Sequence, residues 1–190
     1  MDNKTRAFVY AFLSRGFEKS LGAKEIEDLK KNPELLEMIG ENCEEYFKKE
    51  SRELEDELNV DFNSLFVVNS QPVETLVMDS TGEILVGLQN PVMFFYFENG
   101  YEVNMNNTEI LAPDHISIEF GFMQNLVYRN ENKAAFAFLK KHLLQWVPPY
   151  LTGIKNVAQT PFYRDLCDFT TDFLLSEYES LKEEYDEPGV

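Results

Sequence analysis

Apolar positions recur along most of the chain at helical spacing. Residues 5–17 set Ala7, Phe8, Tyr10, Ala11, Phe12, Leu13 and Phe17 among polar positions, a wide stripe that predicts a helix punctuated by Gly16 and Gly22. A short amphipathic helix is expected over 23–31, with Ile26 and Leu29 inward. Asn32–Pro33 then reads as a cap followed by a first-turn proline. Residues 41–58 read as one long charged helix with Tyr46, Phe47, Leu54 and Leu58 facing inward.

The middle of the chain breaks this rhythm. Between Val67 and Gln89, short β-prone patches such as 73–78 alternate with Asn69, Ser70, Pro72, Gly82 and Gly87. A hairpin is one reading, but no third strand is visible to support it, so a long ordered loop lying on helices is expected. Helical character resumes over 91–99, opened by Pro91 and closed by Asn99–Gly100. The Asn-rich stretch after Tyr101 suggests a hinge, 103–113, between an N-terminal lobe (1–102) and a C-terminal lobe (114–190) of a single all-helical domain.

The second half is more regular. Pro113–Asp114 is expected to open a helix, with Asp114 accepting from its first amides. Ile116, Phe120, Met123 and Val127 fall on one side of it, and Ile118, Phe122 and Leu126 widen the apolar arc. Residues 131–147 predict the next helix, stopped by Pro148–Pro149, and Pro161 opens a last long one. The fold class is all-α, a helical bundle of about nine to eleven helices with a long central loop.

Composition narrows the class of function. With 190 residues, 44% of them hydrophobic, the chain is long and apolar enough to bury a core without disulfides or metals. Cys43 and Cys167 lie far apart and outside any CxxC pair, so both read as ordinary thiols. The longest uncharged run, 84–97, is too short and polar to span a bilayer, and residues 1–6 carry no signal-peptide core. A cytoplasmic location is expected. The net charge is −17, and residues 25–61 alone hold 14 acidic against 5 basic side chains. That balance disfavours nucleic acid and anionic membrane surfaces as partners and favours cationic ones.

Chemistry-bearing motifs are scarce. Phosphate-binding glycine loops, nucleophile elbows and HExxH are absent from the sequence. His115 and Glu119, one helical turn apart, could join His142 from the next helix in a metal site, which would make the chain a small metal-dependent hydrolase. A hydrogen-bonded core His142 is the stronger reading, and a generic acidic helical adaptor is the other alternative. Asp114–His115, at the entry of a buried helix, is the pair best placed to present polar groups to a partner.

Three ordered segments resemble a known family. Ala112–Pro113–Asp114–His115–Ile116 followed by Glu119–Phe120–Gly121–Phe122–Met123 is similar to the proline–Asp–His motif of the TorD/DmsD/NarJ chaperones. His142–Leu143–Leu144–Gln145–Trp146–Val147–Pro148–Pro149–Tyr150 and Pro161–Phe162–Tyr163 resemble the next two, and Phe62–Asn63–Ser64–Leu65–Phe66 the segment before the family's central loop. The chain departs from the pattern where Leu111–Ala112 stand in place of an acidic residue ahead of Pro113.

The resemblance implies a TorD-like helical arrangement and a non-enzymatic cytoplasmic maturation chaperone. Its partner would be the catalytic subunit, or the twin-arginine signal peptide, of a molybdopterin-containing oxidoreductase. It would assist cofactor insertion, assembly and export proofreading, with no resident cofactor, although guanine nucleotide binding has been proposed for some members. Monomers and domain-swapped homodimers both fit. By the same resemblance, Asp114 and His115 are expected to contact peptide, with Phe122, Met123 and Tyr128 as groove candidates. Pro113, Glu119, His142, Trp146 and Pro148 are expected to support the fold.

Overall fold

A computed structural model describes residues 1–79, 83–85, 87–103 and 112–185. Most of the expected hinge, together with the 80–82 turn and the acidic tail from 186, lies outside the described residues. Eleven α-helical segments, some fused through π turns, give ten helices and no strands among the described residues, as the periodicity predicts. The chain divides into two compact units.

The first unit comprises Met1–Glu18, Pro72–Pro148 and Leu174–Val190. Its frame is α1 (Asn3–Glu18) packed along α8 (Ile116–Tyr128). Phe120 lies against the rings of Tyr10 and Phe17, with centroids at 6.2 and 6.0 Å. Ser14 Oγ donates to the carbonyl of Ser117 at 2.7 Å, so polar and apolar contacts set the same register. Gly121 admits Tyr101 here, because a Cβ would sit 3.0 Å from its hydroxyl oxygen. Within the α1 stripe Phe8 is the exception, exposed to solvent. Also in this unit are α6 (Glu74–Met78), α7 (Pro91–Glu98) and α9 (Asn132–Phe138).

The second unit comprises Lys19–Gln71 and Pro149–Phe173. It holds α2 (Ala23–Lys30), α3 (Pro33–Ile39), α4 (Glu41–Tyr46) and α5 (Ser51–Phe62), the last continuing as a π segment over Asn63–Asn69. That segment puts Phe66 on Tyr163 at 5.7 Å. Gly40 is required where Asp165 approaches, since a Cβ would fall 2.3 Å from its carboxylate, which accepts from the amide of Asn42.

Three sequence expectations need correction. The helix expected over 41–58 is two, α4 and α5, because Lys30 Nζ donates to the Lys49 carbonyl (2.6 Å) and Ser51 Oγ (3.0 Å), holding the turn between them. The β-prone patch 73–78 yields one antiparallel bridge, Val73 with His115, and then helix α6 instead of a hairpin.

Pro148–Pro149 does not stop its helix. From α9 the chain passes through a π segment, Leu139–Leu143, into α10 (Leu144–Val157). Trp146, Val147, Tyr150 and Leu151 are buried along α10, whereas Pro149 and Gln145 face solvent, where carbonyls deprived of a donor can reach water. The last helix, α11 (Pro161–Tyr185), begins where Pro161 predicts.

Candidate functional site

The Pro–Asp–His segment lies in the first unit as the meeting point of α6, α7 and α8. Asp114 is fully buried and does not cap α8 as the sequence suggests. Its Oδ2 accepts from the amide of Thr75 at 2.8 Å, and its carbonyl accepts from the amide of Glu74 at 3.0 Å, so it anchors the first turn of α6. His115 is the residue that caps α8, its Nδ1 accepting from the Ser117 amide at 3.2 Å. The Ile116 amide donates to the Pro72 carbonyl (2.9 Å), and Tyr96 of α7 donates its hydroxyl proton to the Pro113 carbonyl (3.0 Å). One short segment therefore ties three helices. A capping rule that counts only the next few amides cannot find Thr75, which lies 39 residues upstream.

Behind this knot is a buried acidic cluster. Glu74 meets Nδ1 of His142 at 2.9 Å, and Trp146 Nε1 donates to Glu119 at 3.3 Å. The π segment turns His142 toward Glu74 and stacks its ring on Phe138 at 4.8 Å. The expected supporting roles of Glu119, His142 and Trp146 correspond to these bonds, and Glu74 is the member that the sequence reading missed. No local signal marks it, because its partner is 68 residues away.

Glu119 Oε1 and Asp114 Oδ1 are buried without hydrogen-bond partners among the described residues. Burial, and then the charges of Glu74 and Asp114, hold the Glu119 carboxyl well above the ordinary range. Burial alone pushes His115 down to about 4.

These directions give opposite pH slopes. Unfolded His115 takes a proton near 6.5 and folded His115 near 4, so its contribution to stability is lost as pH falls through that window. Folded Glu119 keeps a proton that the unfolded chain releases above 4.5, so its contribution is lost as pH rises from there. Glu119→Gln is therefore expected to raise the urea midpoint at pH 8 by more than at pH 5. Equal shifts at both pH values would show that the carboxyl ionises freely in the folded chain.

The metal alternative is not assembled. His115 is engaged with Ser117, His142 with Glu74 and Glu119 with Trp146, and no group of His, Cys, Asp or Glu able to hold a metal exists among the described residues. Both cysteines are buried, and burial raises their thiols above the ordinary range, Cys167 to about 12.

Of the five residues expected to meet peptide, Tyr128 is 76% exposed and His115 partly buried, whereas Asp114, Phe122 and Met123 are interior. Phe122 packs on Tyr96 and Phe138, with centroids at 4.7 and 4.9 Å. The exposed apolar groups of this unit stand elsewhere: Phe94 and Phe97, one turn apart on α7, are 60% and 78% exposed, and Leu88 just before that helix is 82% exposed. Arg129, next to Tyr128, donates to the Asn99 carbonyl at 2.9 Å and so ties the end of α8 to the end of α7. Sequence periodicity could not expose this face, because 91–98 is apolar on every side and only packing decides which rings stay out.

An all-helical chain with this knotted Pro–Asp–His entry has the build of a helical binding module. The family model for the nitrate reductase delta subunit matches residues 27–152, and the chain belongs to that family. Among curated proteins it is similar to the chaperone protein TorD of Vibrio atlanticus (strain LGP32), at 25% identity over 92% of this chain and 97% of that one. The resemblance carried by the sequence motifs is thus borne out by both comparisons. No solved structure matches.

Proposed function

We propose that this chain is a maturation chaperone for a molybdopterin-containing oxidoreductase. It binds the client's N-terminal or twin-arginine signal region in the cytoplasm, without catalytic turnover. Membership of the delta subunit family and likeness to a TorD chaperone support the class. The observation that carries peptide binding is the exposed aromatic face of α7 with Tyr128, on a chain of net charge −17.

A signal region pairs cationic residues with an apolar helix, and this chain offers the complement of both. Exposed ion pairs contribute about 0.2–1 kcal/mol each, whereas burying one exposed Phe contributes about 1.5–3 kcal/mol, so the rings supply most of the affinity. In this reading Tyr128 and His115 lie within reach of peptide. Asp114, Phe122 and Met123 act from beneath, by holding α6, α7 and α8 in place. Among the described residues no helix is long and apolar enough to cross a membrane.

Calorimetric titration of the full chain with twin-arginine leaders of molybdopterin enzymes tests the proposal. Binding is expected, and Phe97→Ser combined with Tyr128→Ser should weaken it by about tenfold or more with helicity unchanged. Absence of heat with every leader, and with the mature N-termini of the same enzymes, would refute it.

A further inference from the structure

A cleft of about 660 Å3 opens in the second unit where the α4–α5 turn and α5 face the start of α11. Tyr46, Lys49, Asp56, Glu57, Val60 and Pro161 are among its lining residues. Its interior already holds a cation, the chain's own. Lys49 Nζ donates to the two oxygens of Glu57 at 2.6 and 2.8 Å, lies 3.2 Å from Glu53, and sits 5.2 Å from the centroid of the Tyr46 ring. The Tyr46 hydroxyl donates to Glu57 at 2.8 Å and fixes that carboxylate beneath the ammonium.

Carboxylate, ring and hydroxyl together make a built seat for a positive group. Lys49 and then Tyr46, by donating to Glu57, hold its carboxyl below the ordinary range. The occupant itself is loosely held: the Lys49 side chain is 37% exposed, while its backbone is secured separately by Lys30. The ammonium can therefore leave for water without unravelling the turn. A neighbouring concavity of about 590 Å3 shares Tyr46, Lys49 and Pro161 and adds Glu41 and Glu45, so negative charge continues past the seat.

We propose that this cleft receives an arginine side chain of the client segment, and that Lys49 is an intramolecular stand-in displaced on binding. A guanidinium suits the seat better than an ammonium, because it can engage Glu57 through two parallel N–H groups while stacking on Tyr46. The inference deepens the chaperone reading and rests on it for the identity of the client, but the cleft can be tested alone.

The probe is N-acetyl-Arg-Arg-amide, titrated into the full chain at low ionic strength, with the Tyr46 ring followed by NMR. Lys49→Gln removes the competitor and is expected to tighten binding about two- to fivefold, whereas Lys49→Arg keeps the seat filled and should not. Adding Glu57→Gln to Lys49→Gln should abolish the gain, and N-acetyl-Lys-Lys-amide should bind more weakly throughout. Unchanged or weaker binding by Lys49→Gln in a chain of native helicity would overturn the proposal, as would indifference to Glu57→Gln. If whole leaders bind but ignore these substitutions, the cleft inference fails and the chaperone reading stands. If the dipeptide binds here and no leader does, the chaperone reading fails instead.

Discussion

Arg6→Met is expected to destabilise the first unit by about 3–5 kcal/mol, more than any apolar truncation at its surface. Arg6 is buried on α1, and Glu177 is buried on the part of α11 that belongs to the same unit. Arg6 Nε donates to the two carboxylate oxygens at 2.8 and 2.9 Å and Nη2 to one at 2.7 Å. Nη1 donates to Asn3 and Asn132 at 2.6 and 2.8 Å, and the Tyr10 hydroxyl reaches Glu177 at 3.3 Å.

A fully bonded pair of this kind contributes little over a well-packed apolar pair, but removing one member strands the other in a dry site. Arg6→Met with Glu177→Met should therefore cost much less than the single change. Urea midpoints of the two variants give the comparison. A single-variant loss under about 1 kcal/mol would mean that water reaches Glu177.

The physics that makes this pair important also made it illegible in the sequence. Arg6 and Glu177 stand 171 positions apart, and each alone reads as an ordinary polar residue on a helix. What the sequence does carry is the period of its apolar residues: α1, α8 and α11 follow from it, because their buried faces recur every three or four positions. Periodicity fails where a distant group decides the outcome. Lys30 breaks the run 41–58, Thr75 captures Asp114, and the buried face of α10 carries its helix through Pro148–Pro149.

The candidate site divides along the same line. The Pro–Asp–His motif is legible as a pattern, but its chemistry is not, because Asp114 looks exposed at a helix entry and is in fact sealed by α6. Conversely, Phe94 and Phe97 look like core, and packing leaves them in water. An all-apolar short helix cannot announce which of its sides lacks a neighbour. In the second unit, the run 41–61 reads as a solvated face, and only the turn of Lys49 onto Tyr46 and Glu57 shows a defined cation seat within it.

Asp61→Ala is expected to cost about 2–4 kcal/mol and to loosen the start of α11. Asp61, buried on α5, accepts from the Gln159 amide at 3.1 Å and from the amide and hydroxyl of Thr160, both at 2.7 Å. It serves α11 from a neighbouring helix, because Pro161 follows at once and contributes no amide of its own. Alanine leaves these three donors without the acceptor that pairs them. Asparagine keeps the volume but presents an amide N–H to two other N–H groups, so Asp61→Asn should fall between Ala and wild type. Hydrogen exchange at Gln159 and Thr160, read with the urea midpoint, measures both changes. Asp61 also borders the cleft, but its oxygens are committed to α11, so the expected signature of its loss is unfolding at lower urea. Native stability together with impaired arginine binding would reverse that assignment and make Asp61 part of the cation seat.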